Sequence, residues 1–70
     1  MIGDYVHLSP NVTLCGGVTV GRLTHIGANV TVIQGINVGE QSIIGAGATV
    51  IREIPSSVIA VGTPAKVIQK

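Results

Sequence analysis

The chain has 70 residues, a formal net charge of +1, a single cysteine and, apart from two histidines, a single aromatic residue, Tyr5. That length makes one small domain with a modest core, and the near-neutral charge, with no basic run, excludes a nucleic-acid-binding surface. There is no run of eighteen apolar residues to span a bilayer, no signal-peptide layout at the start, and the lone Cys15 excludes an internal disulfide framework and fits a reducing, cytoplasmic setting.

From Ile2 the sequence repeats every six residues: IGDYVH, LSPNVT, LCGGVT, VGRLTH, IGANVT, VIQGIN, VGEQSI, IGAGAT, VIREIP. The first position of each hexad is aliphatic: Ile2, Leu8, Leu14, Val20, Ile26, Val32, Val38, Ile44 and Val50. The fifth is small or β-branched, from Val6 and Val12 through Thr24 and Ser42 to Ile54. A strand alternates its side chains, so the apolar even positions share one face. Every third even position breaks the pattern: Asp4, Pro10, Gly16, Arg22, Ala28, Gln34, Glu40, Ala46 and Arg52. Each hexad therefore reads as a short strand followed by a corner. Helical spacing of apolar residues is lacking. Asn11, Gly17, Asn29, Gly35 and Gly47 follow the corners, and these residue types tolerate positive φ.

A six-residue period is the signature of a parallel β-helix. Three corners close a triangular coil, so residues eighteen apart stack at a spacing of about 4.8 Å. The predicted columns are Thr13–Thr31–Thr49, Asp4–Arg22–Glu40, Pro10–Ala28–Ala46, and His7–His25–Ile43. Residues 1–55 read as about three triangular coils. Residues 56–70 read as a cap: Pro55-Ser56-Ser57 marks a break, Val58–Val61 a further strand, Gly62–Ala65 a turn and Lys66–Lys70 a basic tail. The face below Ile2, Val6, Leu8 and Leu14 has no cap, and solenoids need capping units or partners at such faces. An oligomer, or a preceding coil in a longer protein, is expected.

The hexads resemble the left-handed β-helix of hexapeptide-repeat acyltransferases. Three stretches, IGDYVHLSP at 2–10, IGAGATVIREIP at 44–55 and VGTPAKVIQK at 61–70, are similar to the C-terminal domain of sugar acetyltransferases of the sialic-acid O-acetyltransferase and bacillosamine N-acetyltransferase type. The resemblance implies a left-handed, all-β coil that forms a homotrimer and binds acetyl-CoA between subunits. It places acetyl-CoA contacts at His7, Ala28 and Ala46, and a contact to the CoA phosphates at Lys66, where an ammonium suits phosphate. It implies a nucleotide sugar or another small molecule as acceptor, with no metal. The family's general-base histidine lies just before the position of Ile2 and its nucleotide-sugar domain lies further upstream, so neither is in this chain. His7 is then the candidate for a substitute base.

Acetyl transfer needs a base for the acceptor's proton and a donor to polarise the thioester, and His7 and His25 are the only neutral-pH bases present. Two other classes compete. A non-catalytic trimerisation module would keep the coil without the chemistry. A zinc enzyme of the gamma carbonic anhydrase type would need three converging histidines, and two in one column fit poorly. A threonine-faced ice-binding solenoid would need more than one Thr column. Cys15 reads as a small surface or packing residue, His25 as a stacked surface residue, and Asp4, Arg22 and Glu40 as a solvated ladder of little energetic weight.

Overall fold

The computed structural model of the chain describes residues 2–69. Ten short strands follow one another: β1 (His7–Leu8), β2 (Thr13–Leu14), β3 (Thr19–Val20), β4 (His25–Ile26), β5 (Thr31–Val32), β6 (Asn37–Val38), β7 (Ile43–Ile44), β8 (Thr49–Val50), β9 (Ile59–Val61) and β10 (Lys66–Gln69). They form three sheets, in the orders β1-β4-β7-β9-β10, β2-β5-β8 and β3-β6. Through β8, successive strands lie in different sheets and every third strand pairs in parallel, as a triangular coil requires. The third sheet is extended by the bridges Ile2–Val20 and Val38–Ile54. The coil is a left-handed parallel β-helix.

The eighteen-residue register holds through the first coils. His7 pairs with His25 and His25 with Ile43, and Thr13, Thr31 and Thr49 stack in one column. Asn29 N–H donates to Pro10 O and Gly47 N–H to Ala28 O, which stacks the Pro10–Ala28–Ala46 corner. Inward aliphatics fill the prism: Val20, Ile26, Val30, Val32, Ile44 and Val50 are fully buried. Burial at about 25 cal/mol per Å² is the main term holding such a coil together.

Two corner columns turn as expected. Asn11, Asn29 and Gly47 have φ of 63°, 60° and 75°, and Gly17 and Gly35 have φ of 74° and 78°. The third corner uses residues the sequence does not flag: Tyr5, Leu23, Gln41 and Ser57 lie at φ of 55° to 61°. Side chains in this region cost on the order of 1–2 kcal/mol each, so the stacking of the coils sets their backbone against local preference.

The last coil departs from the six-residue period. Ile54, expected at the fifth position of a ninth hexad, instead pairs with Val38 and takes a first position. Only three residues lie between it and Val50, where a full hexad would place five, so this edge of the triangle loses its corner. Pro55, Ser56 and Ser57 are not a break. They form the next regular corner, with Ser57 N–H donating to Glu40 O, and the chain runs on into β9 beside β7. Within the expected basic tail, Lys66–Gln69 forms β10, antiparallel to β9, while Lys70 lies outside the described residues. The two-residue contraction explains why Ile43 pairs with Ile59 rather than with residue 61.

The stack is closed above and open below. Val50, Ile54, Val58 and Ala60 are at most 5% exposed, whereas Ile2 and Leu8, inward-facing in the first coil, are 44% and 43% exposed. The Gly62–Ala65 turn covers the top. Thr49 N–H donates to Gly62 O, Ala65 N–H to Thr49 O, and Thr63 Oγ1 to Gly47 O.

Candidate functional site: a groove on the histidine face

One sheet carries the chemistry-bearing residues. On it, His7 of β1 and His25 of β4 point outward and are exposed, with ring centroids 4.5 Å apart and planes 10° apart. The register alone dictates this pair, since side chains at the same position of successive coils stand one strand spacing apart. Ile43 continues the column above.

Beside the histidine column the sheet has little side-chain cover. Two residues after each outward position come Ser9, Gly27 and Gly45, and then the corner column Pro10, Ala28 and Ala46. The glycines follow from stacking. A Cβ on Gly27 would lie 2.7 Å from Ala46 N and 2.9 Å from Ile44 O, and one on Gly45 would lie 2.7 Å from Val61 Cγ1. A strip floored by glycine and alanine, with histidine and isoleucine along one side, lets a ligand approach the backbone closely. Sequence reading found Ala28 and Ala46 but missed Gly27 and Gly45. Their signal was the position after the first residue of each hexad, which in this sheet is Ser9, Gly27 and Gly45 and in its neighbour Cys15, Ile33 and Ile51.

Of the expected contact residues, Ala28 and Ala46 share one corner, and His7 lies lower on the same sheet. Lys66 does not join them. It pairs with Val61 at the opposite edge of the sheet from β1, four strand spacings or roughly 19 Å away at about 4.8 Å each. There it borders a recess of about 260 Å³ formed with Ile51, Arg52, Pro64 and Ala65. A shallower recess at the other end is lined by Ile2, Gly3, Asp4, Arg22 and Glu40, among others. Asp4, Arg22 and Glu40 stack there as expected through their backbones, and no salt bridge joins them among the described residues. With two carboxylates to one guanidinium, that end repels anions. Cys15 is exposed and unbonded to any other cysteine, and no group of three or more His, Cys, Asp or Glu among the described residues could hold a metal ion.

Comparison with known proteins agrees with the fold. The family model of the bacterial transferase hexapeptide (six repeats) matches residues 1–34. No curated protein matches the chain significantly. Among solved structures, it is similar to perosamine N-acetyltransferase from Caulobacter crescentus, crystallised with CoA and GDP-perosamine. The identity is 42% with a TM-score of 0.96, over 99% of this chain and 33% of that one. It is similar to the acetyltransferase domain of PglB from Neisseria gonorrhoeae in complex with acetyl coenzyme A, at 33% identity and a TM-score of 0.94, over 96% of this chain and 33% of that one. It is also similar to galactoside acetyltransferase in complex with coenzyme A, at 34% identity and a TM-score of 0.96, over 99% of this chain and 44% of that one. The chain thus spans between a third and a half of the length of these relatives. In its repeat and its coil the chain thus resembles the hexapeptide-repeat portion of these acetyltransferases.

Proposed function

We propose that this chain forms the donor site of an acetyl-CoA-dependent acetyltransferase acting on an amine or hydroxyl of a small acceptor, with a nucleotide sugar the favoured class. The single observation that carries the reading is the strip of Gly27, Gly45, Ala28 and Ala46 beside the His7–His25 stack, on a sheet with Lys66 at its far edge. The separation of roughly 19 Å, from a strand spacing of about 4.8 Å, calls for an elongated ligand with a phosphorylated end. Acetyl-CoA has that form, and relatives were crystallised with CoA or acetyl-CoA. The acceptor class rests on the relative crystallised with GDP-perosamine.

In this reading the pantetheine arm lies along the glycine–alanine strip, where backbone groups can meet its amides. The exposed His7 imidazole hydrogen-bonds the thioester or the adjacent amide, and Lys66 faces the phosphates. His7 is also the substitute base: its neutral imidazole accepts the acceptor's proton as the nucleophile attacks the thioester carbonyl, and the thiolate of CoA leaves with a proton. The strip is open on its outer side, so a neighbouring subunit of a homotrimer completes it.

Calorimetric titration with acetyl-CoA, with mass by light scattering alongside, tests the reading. Saturable binding near one equivalent per subunit is expected, and His7→Ala weakens it about tenfold, or about 1.4 kcal/mol, at unchanged mass. Absence of binding at millimolar ligand leaves a structural coil without donor chemistry. A monomeric mass at micromolar concentration removes the trimer.

A further inference from the structure

An imidazole that acts as a base or hydrogen-bond partner is ordinarily oriented by a group bonded to its second ring nitrogen. Neither the His7 ring nor the His25 ring has such a bond among the described residues. His7 is also exposed, on β1, the edge strand of its sheet. What lies against it is the face of His25, at 4.5 Å between ring centroids and 10° between planes. Tyr5, two residues before His7, is 85% exposed and stacks on neither ring among the described residues. His25 is bracketed in register by His7 on one side and Ile43 on the other. A β-branched side chain is stiff at χ1, so order runs down the column from Ile43 through His25 to His7.

We infer that His25 is a positioning residue: the face of its imidazole fixes the ring plane of His7, and through it the hydrogen bond that His7 offers to the acetyl group's thioester or the adjacent amide. The inference rests on the donor-site reading above and adds to it a residue that acts without touching the ligand. An imidazole alone on an edge strand turns about two side-chain bonds, and ligand binding would have to freeze both. Stacking removes that freedom in the free protein, so less is lost when the hydrogen bond forms. The sheet leaves the rings room to do this. Two residues on from His25 stands Gly27, where a Cβ would meet backbone at 2.7 Å, so no side chain from that position crowds the column. The role belongs to the ring face of His25 and not to its nitrogens, so a phenyl ring serves in its place.

The experiment is a double-mutant cycle on acetyl-CoA affinity, using the full chain, His25→Ala, His7→Ala, the double variant and His25→Phe, with the His7 ring protons followed by NMR. His25→Ala is expected to weaken acetyl-CoA binding about fivefold and to move the His7 ring resonances as the neighbouring ring current is lost. In the His7→Ala background the same substitution changes affinity less than twofold, because there is no ring left to position. His25→Phe restores both the affinity and the ring-current shift. His25 is exposed, so its truncation leaves the fold intact, checked by an unchanged thermal midpoint. A fivefold loss that persists in the His7→Ala background, or that His25→Phe does not repair, overturns the inference, since His25 then meets the ligand itself. Unchanged affinity in His25→Ala also overturns it and leaves the donor site standing. Absence of acetyl-CoA binding in the native chain removes the donor reading and this role with it, and is told apart from failure of the role alone because there the native chain still binds.

Discussion

Gly21 and Gly39 show how little room the coil leaves between its layers. A Cβ on Gly21 would lie 2.6 Å from Glu40 N and 2.7 Å from Gly39 C, and one on Gly39 would lie 2.5 Å from Ser56 N and 2.6 Å from Pro55 C. The obstructing atoms are backbone and cannot rotate away, so the coils would have to part along a bonded ladder that includes Gly21 N–H to Val38 O at 2.8 Å. Gly16 is the control: nothing lies within 4 Å of the Cβ it would gain, and its φ is not in the left-handed region. Gly21→Ala is expected to destabilise the chain by about 2–3 kcal/mol, the upper range for overpacking. Gly16→Ala is expected to be neutral or to stabilise by about 0.5 kcal/mol through the unfolded state. Urea denaturation reads both as midpoint shifts at constant slope, and equal midpoints for the two variants would contradict the geometry.

The elements from β1 to β8 are two-residue strands, so what holds them is the column rather than the strand. One column is not wholly apolar. Along Val6, Thr24, Ser42 and Val58, the two middle residues are fully buried hydroxyl side chains. Thr24 Oγ1 donates to Gly39 O at 2.6 Å and Ser42 Oγ to Pro55 O at 2.7 Å, each reaching the corner of the coil above. No buried side-chain nitrogen or oxygen among the described residues is left unbonded. Removing the Ser42 hydroxyl leaves the Pro55 carbonyl without that donor. Ser42→Ala is expected to cost about 1–2 kcal/mol, or about 4–8 °C per kcal/mol in a domain of this size; a melting curve that superimposes on the native one would refute it. The hexads show where such residues sit but not that their hydroxyls brace corners, because Thr, Ser and Val are equivalent at a small inward position. The contracted last edge was hidden for a related reason. Val50 and Ile54 satisfy both the first-and-fifth pattern and the first-and-first pattern, since both positions face inward and accept aliphatic side chains. The discriminating signal was the match of Pro55-Ser56-Ser57-Val58 to Gly39-Glu40-Gln41-Ser42 and Gly21-Arg22-Leu23-Thr24, which a strict period of six conceals. The histidine stack and the alanine corner were legible, because constant register needs only arithmetic. The recess beside Lys66 was not, because it arises where the arithmetic fails.

The whole molecule is a stack with unlike ends, and a single inward column makes that difference measurable. Leu8, Ile26, Ile44 and Ala60 succeed one another in the histidine-bearing sheet. Leu8 is 43% exposed and Ile26 fully buried, although both hold the first position of their hexads. Truncating Ile26 removes contacts on all sides and leaves a cavity that the bonded coils cannot collapse, so Ile26→Ala is expected to cost about 3–4 kcal/mol. Truncating Leu8 at the open end removes less area from burial and leaves no enclosed void, so Leu8→Ala is expected to cost about 1 kcal/mol or less. The ratio, measured by equilibrium denaturation with molecular mass followed in parallel, reports on the state of the end in solution. A small cost for Leu8→Ala means the face is wet in the isolated chain. A cost as large as that of Ile26→Ala, with a drop in mass, means that another chain covers the face, because only further packed protein could give Leu8 the energetic weight of a core residue.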